Sequence, residues 1–266
     1  MDRLNPELLK LLKPETLRAL QQHLEEKQAD EQVVVSDKYE AGVSEDFGLS
    51  QFWYNQHTSQ HLALEALTLG GIADEESKKR VGFISTPSAF RAALNTVTKK
   101  NLTNVELYLF EFDRRFERAF PKHFVFFDFN KPLEIPQDLA GTFDFLIADP
   151  PYLRPDCHLP MLQTMRFLAK SKDTRLAFCT GATMTGVLYE QGFLPVHFEP
   201  QHSSGLANQF RLFTSYESDH SGGQWEAADV EKDSYYIEYL ERKKDGQQPA
   251  EGVAGASDKD SKTSKQ

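Results

Sequence analysis

Between Phe47 and Glu217 one pattern recurs: short, nearly continuous apolar runs alternate with stretches whose apolar residues fall at helical spacing. The apolar runs are Val81–Ser85, Val105–Phe110, His123–Phe127, Phe143–Ala148 and Arg175–Cys179. The helical stretches are Thr58–Leu69, Ser88–Lys99, Pro160–Ala169 and Met184–Gln191. A strand that is apolar throughout needs cover on both faces, which parallel sheets flanked by helices provide. Strands alternating with helices also indicate βαβ units. The expected fold is therefore α/β, a doubly wound, Rossmann-like and mostly parallel sheet. Leu194–Glu199 and Gln209–Tyr216 read as an antiparallel hairpin closing one edge.

Outside this region the chain changes character. Residues 1–46 read as an N-terminal helix, from Pro14 to about Lys27, followed by a polar linker. Residues 47–217 form the expected domain, and residues 218–266 read as a polar, largely disordered tail. Within that tail Ser234–Leu240 carries three tyrosines and is expected to dock on the body or to fold as a short helix. No apolar run approaches the roughly 18–20 residues needed to span a bilayer, and no signal-peptide segment can be drawn. Two cysteines, Cys157 and Cys179, exclude a disulfide framework and fit a reducing, cytoplasmic setting. The net charge of −10 is not confined to the C-terminal stretch, which makes nucleic acid an unfavoured partner. His57, His61 and His158 have no metal-ligand spacing with the cysteines, so no metal site is expected.

Asp149-Pro150-Pro151-Tyr152 directly follows the apolar run Phe143–Ala148. In open α/β sheets ligands bind outside the carboxyl ends of the strands, where this turn must lie. The tetrapeptide supplies a carboxylate at Asp149 and a carbonyl at Pro150, whose direction the proline ring fixes. Tyr152 adds an aromatic face for a base or an ammonium. Such a corner can hold the hydrogens of an amine while its lone pair points at an electrophilic carbon.

The run Phe143–Tyr152 resembles motif IV of the amino-methyltransferases, which carry (Asn/Asp/Ser)-Pro-Pro-(Tyr/Phe). Four segments in order are Leu49-Ser50-Gln51-Phe52-Trp53-Tyr54, Phe110-Glu111-Phe112-Asp113-Arg114-Arg115-Phe116, Ile147–Leu153 and Cys179-Thr180-Gly181-Ala182. Together they resemble the eukaryotic lysine methyltransferases acting on translation elongation factor 1A, a family formerly labelled putative N6-adenine DNA methyltransferases. The resemblance implies S-adenosylmethionine as cofactor, elongation factor 1A as protein partner and Asp149, Pro150, Pro151 and Tyr152 as catalytic residues.

The cofactor is then expected at the ends of the first strands. Most enzymes of this kind have a Gly-rich turn after the first strand, whereas here it reads Ser85-Thr86-Pro87-Ser88. Ser85, Thr86 and Pro87 are nonetheless expected to contact the cofactor at the start of the next helix. An acidic residue at the end of the second strand commonly accepts both ribose hydroxyls, so Glu111 is preferred and Asp113 second. Asp128 is placed for the adenine amino group with Phe127 or Phe129 against the ring, and Asp149 borders the cofactor as well. Phe52, Trp53 and Tyr54 cannot all face one side of a core, so a lid or substrate contact is expected there.

A lysine with a reference pKa of about 10.4 is protonated at neutral pH, and freeing its lone pair costs about 4–5 kcal/mol at pH 7. An adenine N6 amine is already neutral but delocalised, so the motif alone does not choose between the two acceptors. Besides lysine methylation, an N6-adenine methyltransferase acting on DNA or RNA and a non-catalytic binding module with this fold remain open at this point.

Overall fold

The computed structural model describes residues 39–40, 43–44, 46, 51–70, 77–203 and 208–246. The expected helix from Pro14 to about Lys27 and residues 247–266 lie outside them. Within the expected linker, β1 (Tyr39–Glu40) and β2 (Val43–Ser44) pair antiparallel, and Val43 is buried in the core. That stretch is thus more than a connection.

The first long helix, α1 (Gln56–Leu69), starts where the Asn55 side chain accepts a hydrogen bond from the Thr58 backbone N–H. It leads to β3 (Lys79–Ile84), α2 (Pro87–Lys100) and β4 (Val105–Glu111). Pro87 stands in the first turn of α2, and Asn101 closes that helix in the left-handed conformation. A one-turn helix, α3 (Arg115–Ala119), precedes β5 (Phe124–Phe126) and was not legible as a separate element. Next come β6 (Phe145–Ala148), α4 (Pro155–Leu168), β7 (Arg175–Gly181), α5 (Thr185–Tyr189), β8 (Leu194–Pro195) and β9 (Phe210–Thr214). Helix α4 starts one turn and more before the expected Pro160. Pro155 takes the early position that suits proline, and Pro160 lies inside the helix, forfeiting one hydrogen bond.

The sheet order is β5-β4-β3-β6-β7-β9-β8, with the first five strands parallel. β9 runs antiparallel to β7 and pairs with β8, forming the expected antiparallel edge. Side chains alternate between two apolar layers, as the pleat requires. Phe83, Leu109, Ile147 and Cys179 meet α1, α2 and α3 on one face. Ile84, Phe110, Leu146 and Phe178 meet α4 and α5 on the other. At Gly82 an added Cβ would lie 2.5 Å from a Leu146 methyl, so only glycine lets that neighbour pack flat. The doubly wound architecture is thus the one the alternating pattern implies.

The body extends past the expected boundary at 217. Helices α6 (Ala227–Val230) and α7 (Ser234–Lys244) sit on the edge of the fold, with Val230 fully buried. Arg211 of β9 and Asp233 pair at 2.8 Å, both nearly buried, and the Arg211 guanidinium lies over the rings of Trp225 and Tyr235. The Tyr239 ring occupies the space where a Cβ on Gly186 would stand. Composition reads this segment as tail because its anchors are single residues spread through polar sequence.

A second anchor joins α1 to the segment after β9. Buried Glu65 accepts hydrogen bonds from the hydroxyls of Tyr216, Ser218 and Ser221. His61, Glu65 and His220 stand close enough to share a metal ion, but the three hydroxyls already account for the burial of the carboxylate. Among the described residues no helix is long and apolar enough to cross a membrane.

Candidate active site

The strand order reverses between β3 and β6, since β4 lies on one side of β3 and β6 on the other. Connections leave in opposite directions there, which opens a crevice at the carboxyl ends of the strands. A cavity of about 250 Å³ occupies this place. Every residue selected from the sequence lines it: Ser85, Thr86 and Pro87 after β3, Glu111 and Asp113 after β4, Asp128 and Phe129 after β5, Asp149–Tyr152 after β6, and Phe52, Trp53 and Tyr54 from the segment before α1.

The turn after β3 explains how a chain without the usual glycines forms this cavity. Ser85 adopts φ +52°, the left-handed region that glycine enters most easily. Its N–H donates to the Phe110 carbonyl at 2.8 Å, and the Thr86 hydroxyl donates to the Ile84 carbonyl at 2.8 Å. These bonds hold a conformation that costs a non-glycine residue about 1–2 kcal/mol. The N-terminal turn of α2, with Ser88, faces the same cavity.

At the end of β4 the two acids separate in role. Asp113 accepts from the Arg115 guanidinium at 2.6 Å and 2.8 Å and from the Gln51 amide at 3.0 Å. Burial pushes its carboxyl up, but the Arg115 hydrogen bonds outweigh this and hold it below the usual value. Glu111 instead accepts only the backbone N–H groups of Phe112 and Asp113, and burial pushes its carboxyl up to about 7. Glu111 is therefore the acid with acceptor capacity to spare, while Asp113 is committed to Arg115 and Gln51. Gln51 also accepts from Arg115 at 3.1 Å, and so ties the aromatic segment to the β4 end.

On the adjoining wall Asp128 accepts from the backbone N–H and the side-chain amide of Asn130, at 2.9 Å and 3.0 Å. Phe129 meets Tyr152 edge to face with ring centres 6.0 Å apart. Tyr152 is 40% exposed at the mouth, with the Arg154 guanidinium 5.3 Å over its ring.

Asp149 stands at the bottom. Its N–H donates to the Ile84 carbonyl at 3.0 Å, which joins the corner to β3. Its side chain lines the cavity, and burial pushes the carboxyl up to about 8, helped by the like charge of Glu111 and opposed by the Tyr54 hydroxyl. The loop after the corner is held by His158, whose Nδ1 bonds the Arg154 carbonyl at 2.9 Å and whose Nε2 bonds the Thr180 hydroxyl at 2.9 Å. Burial pushes His158 down to about 4, so it stays neutral, donating to the carbonyl and accepting from the hydroxyl.

Trp53 and Tyr54 are each 2% exposed and form buried wall, with Phe52 nearer the surface. Trp53 packs edge-on against Phe116 of α3, and Tyr54 against His202 with ring centres 4.6 Å apart. His202 and Phe210 also line the cavity, and no local signal in the sequence marks them. They arrive through the backbone bridge Tyr54↔His202, which spans nearly 150 residues. Phe112, 52% exposed between the two acids, is a further lining residue, and its place just past an apolar run gives it no distinguishing signal.

As a whole the cavity carries four carboxyl groups, Glu111, Asp113, Asp128 and Asp149, and no lysine or arginine among the described lining residues. Two of the four are buried, raised carboxyls facing a polar-aromatic space. With four carboxyl groups and no lysine or arginine among the described lining residues, the cavity suits a positively charged guest better than a phosphate.

Comparison with known proteins shows which family the chain resembles. The family described as "Probable N6-adenine methyltransferase" matches residues 45–218. The protein-lysine N-methyltransferase M142.8 of Caenorhabditis elegans is 36% identical over 210 residues, covering 78% of this chain and 94% of that protein. The EEF1A lysine methyltransferase 1 of Mus musculus is 37% identical, covering 78% and 92%. The protein-lysine N-methyltransferase EFM5 of Saccharomyces cerevisiae is 37% identical over 187 residues, covering 65% and 73%. At this identity and coverage, the chain belongs to the methyltransferase family that includes the EEF1A lysine methyltransferases.

Proposed function

We propose that this chain is an S-adenosylmethionine-dependent protein-lysine N-methyltransferase whose substrate is a lysine of elongation factor 1A. The observation that carries the reading is the convergence of four carboxyl groups, Glu111, Asp113, Asp128 and Asp149, on a cavity whose described lining residues include no lysine or arginine. The cofactor's sulfonium and a lysine ammonium are both cations. A nucleic-acid substrate would bring phosphates to a cavity whose described lining residues include no lysine or arginine. The names of the relatives support lysine and elongation factor 1A specifically. A cytoplasmic setting accords with the two buried, unpaired cysteines.

S-adenosylmethionine, when bound, supplies a methyl carbon activated by the sulfonium. The residues present suit it: Glu111 has acceptor capacity for ribose hydroxyls, Asp128 for the adenine amino group, and Phe129 offers a ring face. The turn Ser85-Thr86-Pro87 and the start of α2 border the same space. Asp149, the Pro150 carbonyl and the Tyr152 ring would receive the target amine.

Asp149 also bears on how the amine loses its proton. Between an ordinary aspartate and a lysine ammonium the proton strongly prefers nitrogen, by about 6–7 pK units. With Asp149 raised to about 8, the gap narrows to about 2 units, or about 3 kcal/mol, before burial lowers the lysine. A closed apolar site further favours the neutral pair over the ion pair. Where Asp149 is ionised, it takes the amine's proton at that reduced cost, and the freed lone pair is directed at the methyl.

Incubation with labelled cofactor tests the proposal against elongation factor 1A, DNA and RNA in parallel. Label in elongation factor 1A at a lysine is expected. Label in nucleic acid alone would overturn the reading in favour of an adenine methyltransferase, and no calorimetric uptake of cofactor would leave a binding module.

A further inference from the structure

Tyr54 carries a buried hydroxyl that the chemistry above does not use. Its ring is held on several sides. The backbone bridges to His202, the ring packs on His202 and meets Phe210 edge to face with centres 6.4 Å apart. The Tyr54 carbonyl accepts from the Ser203 hydroxyl at 3.1 Å and the Ser59 hydroxyl at 3.4 Å, and the next N–H, of Asn55, donates to the Gln201 carbonyl at 3.0 Å. A ring fixed in this way does not swing in and out as a cover.

At the tip, the hydroxyl lies beside the Asp149 carboxyl and the Cys179 thiol, but among the described residues none of its contacts reaches full hydrogen-bond geometry. A buried hydroxyl left without a partner costs about 1–3 kcal/mol, so its position calls for a partner during function. Burial pushes the phenol well above its usual range, as it does the Cys179 thiol, so the group is a donor throughout the working pH range. Of its two neighbours, the carboxylate is much the stronger acceptor.

We infer that Tyr54 is a positioning residue: its hydroxyl donates to one Asp149 oxygen as the carboxyl ionises, and so turns the other oxygen toward the target amine. This rests on the methyltransferase reading given above. The ionisable groups around Asp149 are Tyr54 from the N-terminal segment, Glu111 from β4, Cys179 from β7 and Cys157 from α4. Of these, Tyr54 alone favours the carboxylate, and Glu111 opposes it. Removing the hydroxyl must therefore raise the pH at which Asp149 ionises and loosen its orientation.

The test compares wild type and Tyr54→Phe by carbon-13 titration of Asp149 in the free protein and by pH–rate profiles of lysine methylation, with melting temperature and cofactor affinity as controls. The expected result is an Asp149 titration and an acid limb both moved up by about one pH unit. The plateau rate should fall about tenfold or more, with cofactor affinity unchanged. Cys179→Ala serves as a packing control and should leave the acid limb in place. A Tyr54→Phe protein that titrates and turns over like wild type overturns the inference. So does one that loses only melting temperature, or a Cys179→Ala protein that moves the limb equally. If Tyr54→Phe proves too unstable to measure, Tyr54→Leu replaces it and must show the same upward movement. Absence of lysine methylation by wild type would instead strike the functional reading, while the titration in free protein still reports on Tyr54.

Discussion

Replacing Glu111 with Gln should exchange cofactor affinity for stability, and the structure sets both magnitudes. The side chain is 6% exposed, and burial moves its carboxyl from 4.5 to about 7 against the pull of two backbone N–H groups. Below pH 4.5 folded and unfolded chains both keep the proton, and the group has no effect. Between 4.5 and about 7 the unfolded chain releases the proton while the fold retains it, so stability falls as pH rises. Above about 7 both are ionised and the full cost, about 3 kcal/mol, is in place. The amide of Glu111→Gln keeps an acceptor for Phe112 and Asp113 N–H and never ionises. The variant should match wild type near pH 4.5 and exceed it by about 2–3 kcal/mol at pH 8. A hydrogen bond to a charged acceptor is worth about 1.5–3 kcal/mol, so affinity for S-adenosylhomocysteine should drop roughly ten- to a hundredfold. Urea unfolding at pH 5 and pH 8, with calorimetric titration of S-adenosylhomocysteine, measures both. A variant that is no more stable at pH 8, or that binds as tightly as wild type, refutes the assignment of Glu111.

Three further outcomes follow from the packing. Asp233→Ala strands the buried Arg211 guanidinium, and should cost about 3–5 kcal/mol in chemical unfolding; a loss under 1 kcal/mol would mean that the pair is solvated. Gly186→Ala drives a methyl into the Tyr239 ring and should cost about 1–3 kcal/mol, with faster hydrogen exchange in Ser234–Lys244; unchanged exchange would argue against the docking of α7. His158→Ala removes the bridge between the Arg154 carbonyl and the Thr180 hydroxyl, and should lower melting temperature and turnover together; Asp149 chemistry unaffected by it would place the loop's support elsewhere.

How far the sequence could be read depended on how far apart the cooperating residues lie. The parallel sheet was legible because strands such as Phe145–Ala148 are apolar on both faces, a property of adjacent residues. Glu111 and Asp149 were legible for the same reason, since each follows a strand that announces itself. Glu111 and Asp113 could be ranked but not separated until Arg115 and Gln51 were seen on Asp113, because strand alternation gives direction and not partners. Ser85 in the left-handed region explains the missing glycine, and a serine there gives no local sign of its backbone. His202 and Phe210 meet Tyr54 from the far end of the domain. Within the expected tail only Ser234–Leu240, with its three tyrosines, was legible as a helix or docking segment, because the other anchors are single residues in polar sequence.

The most direct test of the account is the rate of labelled methyl transfer to lysine by Asp149→Ala, measured with cofactor affinity on the same protein. The predicted result is a loss of a hundredfold or more, with S-adenosylhomocysteine bound within a few-fold of wild type. Turnover at the wild-type rate, with the cofactor still bound, would contradict the claim that this buried carboxyl handles the amine.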